Sequence, residues 1–317
     1  MVTTSEFSKI ARIEAILRRE CREVSLSMGD DCAVLRPTDK PRVWTVDSAI
    51  AGVHFSRDFM SLDHIAQRAF AAAASDVAAM GGRAVAALSA LTLPCTFTDD
   101  ELTELVTGLA RASDRFACPI VGGNLARGSE LSLTTTVLGE CPVRVLTRSG
   151  AQLGDGVFVT GTVGGAALGL RALSAQRGQE AVFLPAIEQF LTPAARLDVA
   201  LEVAGLASAA IDVSDGLLQD LEHLCRASRL GARIEAALLP LLAGFVDAAE
   251  GLQLDPFALA LEGGEDYQLL FTAPRELVPA GLATWIGSVV AESEGVRVFE
   301  RAGTERATGR GFDHFRG

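Results

Sequence analysis

The stretch that most constrains the fold is residues 207–220, which read ASAAIDVSDGLLQD. Apolar residues 209–213 predict a short buried strand, and leucines at helical spacing follow it. Between them, Asp212, Ser214 and Asp215 bring two carboxylates and a hydroxyl to a strand-to-helix junction. Backbone N–H groups and the helix dipole at such a junction favour phosphate, and hard oxygen ligands suit Mg²⁺ shared with substrate phosphates. An N-capped helix, with Ser214 or Asp215 as the cap, explains the same residues, so this stretch alone leaves both interpretations open.

Composition limits the classes of protein to which the chain can belong. The 317 residues are 49% apolar and 21% charged, which is typical of a well-packed chain of about two domains. The formal net charge of −12 argues against a nucleic-acid groove and against binding to an anionic membrane surface. If the substrates are phosphorylated, divalent cations are needed to bring them to so acidic a protein.

The cysteines and the N-terminal residues indicate a cytoplasmic protein. Six cysteines are scattered without a C-x-x-C pair, which disfavours a disulfide framework and a zinc site. Polar residues follow Met1, so we expect no signal peptide. The most apolar region, residues 69–93, is interrupted by Asp76 and Arg83 and predicts a buried helix and strand, not a membrane span.

The first half of the chain predicts a mixed α+β layer with helices on one side of a sheet. Its periodicity predicts helices over residues 7–17, 62–80 and 99–116, and strands over residues 44–48, 84–93, 118–121 and 131–138. A change in composition over residues 142–150 predicts a boundary between a domain of residues 1–145 and one of residues 146–317.

The second half predicts further strand-to-helix junctions. A strand before residue 160 leads into a glycine-rich turn and a helix from Ala166, which could cradle phosphate or could be a structural turn. The glycines match neither G-x-G-x-x-G nor a G-K-[ST] loop. We also expect a helix over residues 197–203 and a strand over residues 268–272, preceded by Gly-Gly-Glu-Asp, which could form a β-bulge.

Acidic residues recur at glycine-marked turns and at element ends, flanked by apolar sequence. Six of them stand out in this respect: Asp30, Asp31, Asp47, Asp76, Asp212 and Asp215. If these carboxylates gather, their repulsion must be relieved by cations, and several Mg²⁺ ions with a polyphosphate fit best. Asp76 also lies near the C-terminal end of its helix, where either a cation or Arg83 would offset the unfavourable dipole.

A Ser-His-Asp order, a nucleophile elbow, H-E-x-x-H and C-x-x-C are not found in the sequence, which disfavours acyl transfer and zinc hydrolysis.

Several motifs, in order along the chain, resemble those of the thiamine-monophosphate kinase family. They are GDDCAVL from Gly29, VDSAIAGVHF from Val46, SDVAAMGG from Ser75, VGGNLARG from Val121, GDGVFVTGTVGG from Gly154, IDVSDGLLQDLEHL from Ile211, GGEDYQLLFT from Gly263 and GFDHF from Gly311. This family belongs to the superfamily of aminoimidazole ribonucleotide synthetase.

The resemblance implies a two-domain α/β (α+β) fold and a phosphotransferase reaction. We expect an N-terminal four-stranded mixed sheet with helices that pairs with its twin in a homodimer barrel, then a C-terminal α/β domain, with the active site in a cleft between them. The implied reaction transfers a phosphoryl group from ATP to thiamine phosphate, with several Mg²⁺ ions and, as a further expectation, K⁺. The acceptor is a phosphate oxygen that is already ionised, so no side chain is expected to act as a base or to be phosphorylated.

The resemblance also implies roles for individual residues. The expected metal ligands are Asp30, Thr45, Asp47, Asp76, Asp212 and Asp215. The expected ATP contacts are Gly123, Asn124, Arg148 and Ser214. The expected thiamine phosphate contacts are His54, Glu265 and Phe312.

Three residues depart from the family pattern. Asn124 stands where the family has Asp, Val46 where a Thr ligand is usual, and Thr107 where an aromatic residue contacts the nucleotide base. These departures leave two further expectations open: a related enzyme that acts on another phosphorylated acceptor, and a non-catalytic homologue that binds thiamine phosphate or nucleotide.

Overall fold

The computed structural model describes residues 6–29, 31–300 and 304–306 of the chain. The chain divides into two compact units. Unit 1 comprises Met1–Val77 and Arg83–Pro142, and unit 2 comprises Ala78–Gly82 and Val143–Gly317.

A four-stranded sheet, a two-stranded ribbon and three helices are formed by the part of unit 1 that the structure describes. In chain order they are α1 (Glu6–Leu17), β1 (Val24–Leu26), β2 (Val34–Leu35), β3 (Arg42–Ile50), α2 (Leu62–Ala79), β4 (Arg83–Pro94), α3 (Asp99–Arg115), β5 (Ile120–Gly128) and β6 (Ser132–Glu140). The order in the larger sheet is β3-β6-β4-β5, with β4 and β5 parallel and the other pairs antiparallel.

The two faces of this sheet have different surroundings. Val77 of α2 lies against Gly139 of β6 and Val43 of β3, so α2 covers the face that carries Val43. Because side chains alternate along a strand, the even-numbered residues of β3 point to the other face. There, Trp44 is 72% exposed and Val46 is 62% exposed.

The described residues of unit 2 form a seven-stranded sheet and six helices. They are β7 (Gly156–Val159), α4 (Gly165–Ser174), α5 (Leu184–Leu191), α6 (Ala200–Leu206), β8 (Ala209–Asp212), α7 (Leu217–Ser228), β9 (Leu230–Glu235), α8 (Phe245–Gly251), α9 (Pro256–Glu262), β10 (Leu269–Ala273), β11 (Thr284–Ala291), β12 (Val296–Phe299) and β13 (Glu305–Arg306). The strand order is β13-β12-β9-β11-β7-β10-β8.

Hydrophobic cores cover both faces of the sheet in unit 2. Val157 and Val159 belong to one core, together with the buried leucines of α7. Phe158, which points to the opposite face, stacks on Phe271 with a centroid distance of 5.4 Å in the second core. Strands buried on both faces read as continuous apolar runs, which is why β7 and the first three residues of β8 carry no polar side chain.

The predicted fold class is confirmed: a four-stranded mixed sheet is followed by a larger α/β sheet. One strand differs from its predicted bounds, and one of two open interpretations is excluded. The strand expected over residues 118–121 begins at Ile120 and runs through the glycines to Gly128, and residues 263–268 form an irregular segment before β10 instead of a β-bulge. None of the helices in the described part of the chain is long and apolar enough to cross a membrane.

Candidate active site

The segment between β8 and α7 carries three of the expected functional residues in unit 2. Asp212 ends β8 and is 5% exposed, and residues 213–216 form the loop before α7. The N-cap of α7 is Gly216, so the interpretation of Ser214 or Asp215 as the cap is wrong. The backbone N–H groups of Ser214 and Asp215 donate to Oδ2 of Asp220, at 2.9 and 3.1 Å.

Asp220 adds a third carboxylate to this loop. It is 2% exposed, and its burial, followed by the charges of Asp212 and Asp215, raises the pKa of Asp220 to about 8. Crowded carboxylates favour a cation in their neighbourhood. With this pKa, Asp220 is largely protonated at pH 7 when no cation is close by, and the loop offers oxygen donors.

The Gly-Gly-Glu-Asp segment packs directly on the same loop. The N–H of Glu265 donates to the carbonyl of Ser214 at 2.7 Å, and the N–H of Tyr267 donates to that of Val213 at 2.8 Å. Gly264 has φ +69°, and a Cβ there would lie 2.6 Å from the carbonyl oxygen of Ser214. Only glycine allows this approach without strain, so the two motifs form one structural element.

Two residues of this segment have a left-handed backbone conformation. Glu265 has φ 59° and Tyr267 has φ 49°, conformations that are uncommon for residues with a side chain. Such conformations persist where the surrounding contacts fix them, and they are frequent at functional sites. Glu265, an expected substrate contact, is half-buried here.

Asp266 connects the segment to the glycine-rich turn before α4. Its carboxylate is 6% exposed and accepts from the N–H groups of Gly164 at 2.6 Å and of Ala166 at 3.1 Å. These are N–H groups of the helix N-terminus that a phosphate would have used. The contacts favour the structural-turn interpretation of this motif over a phosphate cradle.

Of two arginines in unit 2, Arg196 contacts Gln268, which follows the Gly-Gly-Glu-Asp segment, whereas Arg148 contacts Ser228, the last residue of α7. Arg148 is exposed, and its carbonyl accepts from the Ser228 hydroxyl at 3.1 Å. Arg196 is not among the residues expected from the sequence, and its Nη1 donates to Oε1 of Gln268 at 3.1 Å. No sequence signal distinguishes Arg196, because its partner lies 72 residues further along the chain.

In unit 1 the structure brings Thr45 and Asp76 together. The Thr45 hydroxyl donates to Oδ2 of Asp76 at 2.5 Å, and Oδ1 of Asp47 accepts from the N–H of Ser48 at 2.6 Å. Arg83, the alternative partner expected for Asp76, pairs with Glu23 at 3.0 Å and with Glu140 at 2.9 Å.

The strand register separates Asp47 from Asn124. Asp47 lies in a row with Thr135, Ser89 and Gly123, whereas Asn124 lies in the next row with Ala90, Thr134 and Ser48. Adjacent rows point to opposite faces of a sheet. Asn124 and Val46, two of the departures from the family pattern, therefore share the face opposite to Thr45 and Asp47.

Gly123 and Thr107 have local explanations. A Cβ at Gly123 would lie 1.9 Å from the carbonyl oxygen of Ser89, so the close approach of β5 to β4 requires glycine. The Thr107 hydroxyl donates to the carbonyl of Thr103 at 2.7 Å, within α3.

A cavity of about 840 Å³ opens on the α1 side of unit 1. Its walls include Ile10 of α1, Trp44 of β3, and Gly123 and Asn124 of β5. Cavities of this size accommodate small-molecule ligands.

His54 follows β3, and its Nδ1 accepts from the N–H of Ile50 at 3.1 Å. In the neutral ring this assigns the proton to Nε2. Asp30 and Phe312, an expected metal ligand and an expected substrate contact, lie outside the described residues.

The donors in both units fit Mg²⁺ by their chemistry, because they are carboxylate and hydroxyl oxygens. Thr135 Oγ1, which is fully buried in the row of Asp47, has no hydrogen-bond partner among the described residues. Across residues 6–29, 31–300 and 304–306, no group of three or more His, Cys, Asp or Glu side chains could hold a metal by itself. Mg²⁺ commonly binds through only one or two carboxylates together with substrate phosphates and water, which this donor set can supply.

Comparison with family models defines the class of the protein. Residues 29–141 match the AIR synthase related protein, N-terminal domain, and residues 152–299 match the AIR synthase related protein, C-terminal domain.

Individual relatives narrow this class. The chain is 37% identical over 328 residues to the thiamine-monophosphate kinase of Escherichia coli strain K12, with 98% of each chain covered. AaThiL complexed with AMPPCP and TMP matches with a TM-score of 0.82 and 34% identity, over 99% of this chain and 100% of that one. Thiamine-monophosphate kinase from Stenotrophomonas maltophilia K279a matches with a TM-score of 0.81 and 33% identity, over 93% of this chain and 96% of that one. The chain belongs to the thiamine-monophosphate kinase family.

Proposed function

We propose that this chain catalyses the ATP-dependent phosphorylation of thiamine phosphate, giving thiamine diphosphate and ADP. The observation that carries this proposal is the match over 99% of the chain to a relative complexed with AMPPCP and TMP. These names correspond to a non-hydrolysable ATP analogue and thiamine monophosphate, the two kinds of ligand that the reaction requires.

The transfer needs positioning and neutralisation of charge more than it needs a reactive side chain. The attacking oxygen belongs to a phosphate that is ionised near neutral pH, so no general base has to remove a proton. The work of the protein is to hold the two phosphates in line. No residue is phosphorylated in this scheme, and direct in-line transfer is the proposed route.

Mg²⁺ is the proposed cofactor, and it would neutralise the negative charge of the phosphates when bound. Its proposed ligands are Asp30, Thr45, Asp47 and Asp76 from the first part of the chain, and Asp212 and Asp215 from the second. The hydrogen bond between Thr45 and Asp76 supports the pairing of these two residues at one site. A requirement for K⁺ is a further prediction.

For the nucleotide and the substrate we propose the contacts that the resemblance to the family implies. We propose Gly123, Asn124, Arg148 and Ser214 for ATP. We propose His54, Glu265 and Phe312 for thiamine phosphate. The Nε2–H of His54 is then a donor for the substrate.

We further propose a homodimer in which the exposed sheet face of unit 1 is covered by the same face of a second copy. Trp44, Val46 and Ile50 of β3 and Leu88 of β4 are 72%, 62%, 38% and 39% exposed. Apolar side chains grouped in this way mark interaction surfaces. The proposed domains keep the boundary predicted from the sequence, with residues 1–145 serving dimerisation and metal and ATP binding, and residues 146–317 serving substrate and nucleotide binding.

We propose a cytoplasmic location because the cysteines form no disulfide bonds. All six are free thiols in the structure, as expected for a reducing compartment.

A coupled ADP-release assay with ATP, Mg²⁺ and thiamine phosphate tests the activity. We expect turnover that depends on thiamine phosphate and Mg²⁺, and that falls when K⁺ is replaced by a larger organic cation. Formation of thiamine diphosphate is measured in parallel by chromatography, which separates transfer from simple hydrolysis of ATP.

The departure at Asn124 favours one alternative, a non-catalytic homologue that binds thiamine phosphate or nucleotide. Wild type and Asn124→Asp are compared in the same assay. Turnover by wild type excludes the binding-protein alternative, whereas an inactive wild type that gains activity as Asn124→Asp supports it. ADP release with another phosphorylated acceptor, but not with thiamine phosphate, would indicate the other alternative, a related enzyme of the superfamily that acts on that acceptor.

A further inference from the structure

Asp220 is a buried carboxylate to which the proposed reaction assigns no role. It lies in the first turn of α7 on the same side as the buried Leu217, Leu221 and Leu224, and it is 2% exposed. A carboxylate on the apolar side of a helix is costly unless strong hydrogen bonds compensate for its desolvation.

The hydrogen bonds of Asp220 are directed at the loop and not at the helix. Its Oδ2 accepts from the N–H of Ser214 at 2.9 Å and from the N–H of Asp215 at 3.1 Å. In an ordinary capped helix, the side chain before the helix would accept from N–H groups within the helix. Here the direction is reversed, and a residue within the helix accepts from the two loop residues that precede Gly216.

This reversal determines which groups the loop can present. Asp220 binds the backbone N–H groups of Ser214 and Asp215. The N-cap of α7 is Gly216, so the side chains of Ser214 and Asp215 are not used as the cap. On the other side of the loop, the carbonyl of Ser214 accepts from the N–H of Glu265. The backbone of Ser214 is thus fixed through both its N–H and its carbonyl.

We propose that Asp220 is a positioning residue, which holds the loop of residues 213–216 so that Asp212, Ser214 and Asp215 are presented to the metal-bound nucleotide. This proposal rests on the proposed function. Asp220 acts through the backbone of the loop and does not itself touch the substrate or the metal.

Three variants separate positioning from direct ligation. Asp220→Asn keeps the volume and one oxygen acceptor, and Asp220→Ala removes the acceptor. Asp155→Asn is the matched control, since Asp155 is also buried in unit 2, at 6% exposed, and accepts from the N–H of Gln152 at 2.9 Å.

The primary measurement is the initial rate as a function of free Mg²⁺. For a positioning residue we expect Asp220→Asn to stay within about threefold of the wild-type kcat, with an unchanged Mg²⁺ dependence. Asp220→Ala should lose about 100-fold in kcat, because a misplaced site loses catalysis on this scale, and it should need more Mg²⁺. Asp155→Asn should lower thermal stability without altering the Mg²⁺ dependence.

Two kinetic results would overturn the proposal. One is wild-type kcat in Asp220→Ala. The other is a loss in Asp220→Asn as large as that in Asp220→Ala with a raised Mg²⁺ requirement, which would make Asp220 a metal ligand.

Hydrogen exchange of the peptide that contains Ser214 and Asp215 provides a readout without turnover. Protection should be equal in wild type and Asp220→Asn and lost in Asp220→Ala. If Asp220→Ala does not fold, loss of activity in folded Asp220→Asn with protection equal to that of wild type overturns the proposal. An inactive wild type would refute the proposed function, and in that case the positioning claim is decided by this exchange pattern alone.

Discussion

The two units hold their candidate residues in different ways. In unit 1, Thr45 and Asp47 lie on β3 and Asp76 lies on α2, so strand register and helical repeat fix their positions. In unit 2, Ser214 and Asp215 lie in a loop whose backbone is bound by Glu265, Tyr267 and Asp220. A loop held by another segment depends on that segment, whereas a side chain on a regular element depends mainly on its own strand or helix. We therefore expect the unit 2 residues to be sensitive to changes in the segment around Gly264, and the unit 1 residues to be sensitive to changes at the residues themselves.

The largest expected effect is that of Asp212→Ala. Removal of this charge should lower the rate of ADP release by about three orders of magnitude, since it removes a proposed metal ligand but little core volume. Circular dichroism and gel filtration should show an unchanged fold and oligomeric state. Asp247→Ala, an exposed aspartate of the same unit, serves as the control. Unaltered turnover in Asp212→Ala would contradict the assignment of Asp212 as a ligand.

Gly264→Ala tests the dependence of the unit 2 loop on its neighbouring segment. The left-handed backbone and the approach to Ser214 should together lower the free energy of unfolding by about 3 kcal/mol. Gly244 has a similar φ of +73° but open space around its Cβ, so Gly244→Ala should cost only about 1 kcal/mol. Urea unfolding measures both variants. Equal losses would show that the contact with Ser214 does not matter.

Thr45→Val tests the expectation that residues on the strands and helices of unit 1 are sensitive to changes at the residues themselves. It removes the hydroxyl that donates to Asp76 and keeps the shape of the side chain. A hydrogen bond to a charged group of this kind contributes about 1.5–3 kcal/mol, so we expect a decrease in kcat of about 10- to 100-fold with unchanged stability of unit 2. Thr45→Ser, which keeps the hydroxyl, should remain close to wild type. A loss of activity in Thr45→Ser equal to that in Thr45→Val would contradict the role of the hydroxyl.

The smallest effect concerns the ionic contacts at the end of the unit 1 sheet. Hydrogen bonds from Thr38 and then from Arg83 outweigh burial and lower the pKa of Glu140. A lowered pKa stabilises the folded state above the unfolded-state pKa, and this contribution is lost as the pH falls through the folded-state pKa. Glu140→Gln should therefore cost about 1–2 kcal/mol at pH 7 and progressively less below about pH 4.

Denaturant titrations at several pH values measure this dependence. Asp114→Asn is the control, because the pair of Asp114 with Arg19 has a carboxylate that is 57% exposed. Its effect should be below about 1 kcal/mol at every pH. A loss in Glu140→Gln that does not change with pH would exclude the ionic explanation.

The sequence was sufficient to predict most regular elements and the acidic loop. Apolar residues at helical spacing predicted a helix over residues 62–80, and α2 spans Leu62–Ala79. The run of residues 209–213 predicted the strand that became β8, which ends at Asp212. These features depend on local periodicity, and a single sequence records it directly.

Long-range contacts could not be predicted in this way. The carboxylate of Asp266 accepts from the N–H of Ala166, which lies 100 residues earlier in the chain. The separation of Asn124 from Asp47 depends on the register between β3, β6, β4 and β5. Asp220 did carry a signal that was missed, because it lies three residues after Leu217 within the apolar spacing of α7. A carboxylate at such a position indicates a buried hydrogen-bonding role.

The carboxylate of Asp266 at the start of α4 has a consequence for how nucleotide can be taken up. The positive end of that helix is already saturated by an anion of the protein itself, through Gly164 and Ala166. In a chain with a formal charge of −12, an anionic ligand gains little attraction at this helix end. Phosphate groups of a substrate would have to displace Asp266 to bind there, so other parts of the chain must hold them.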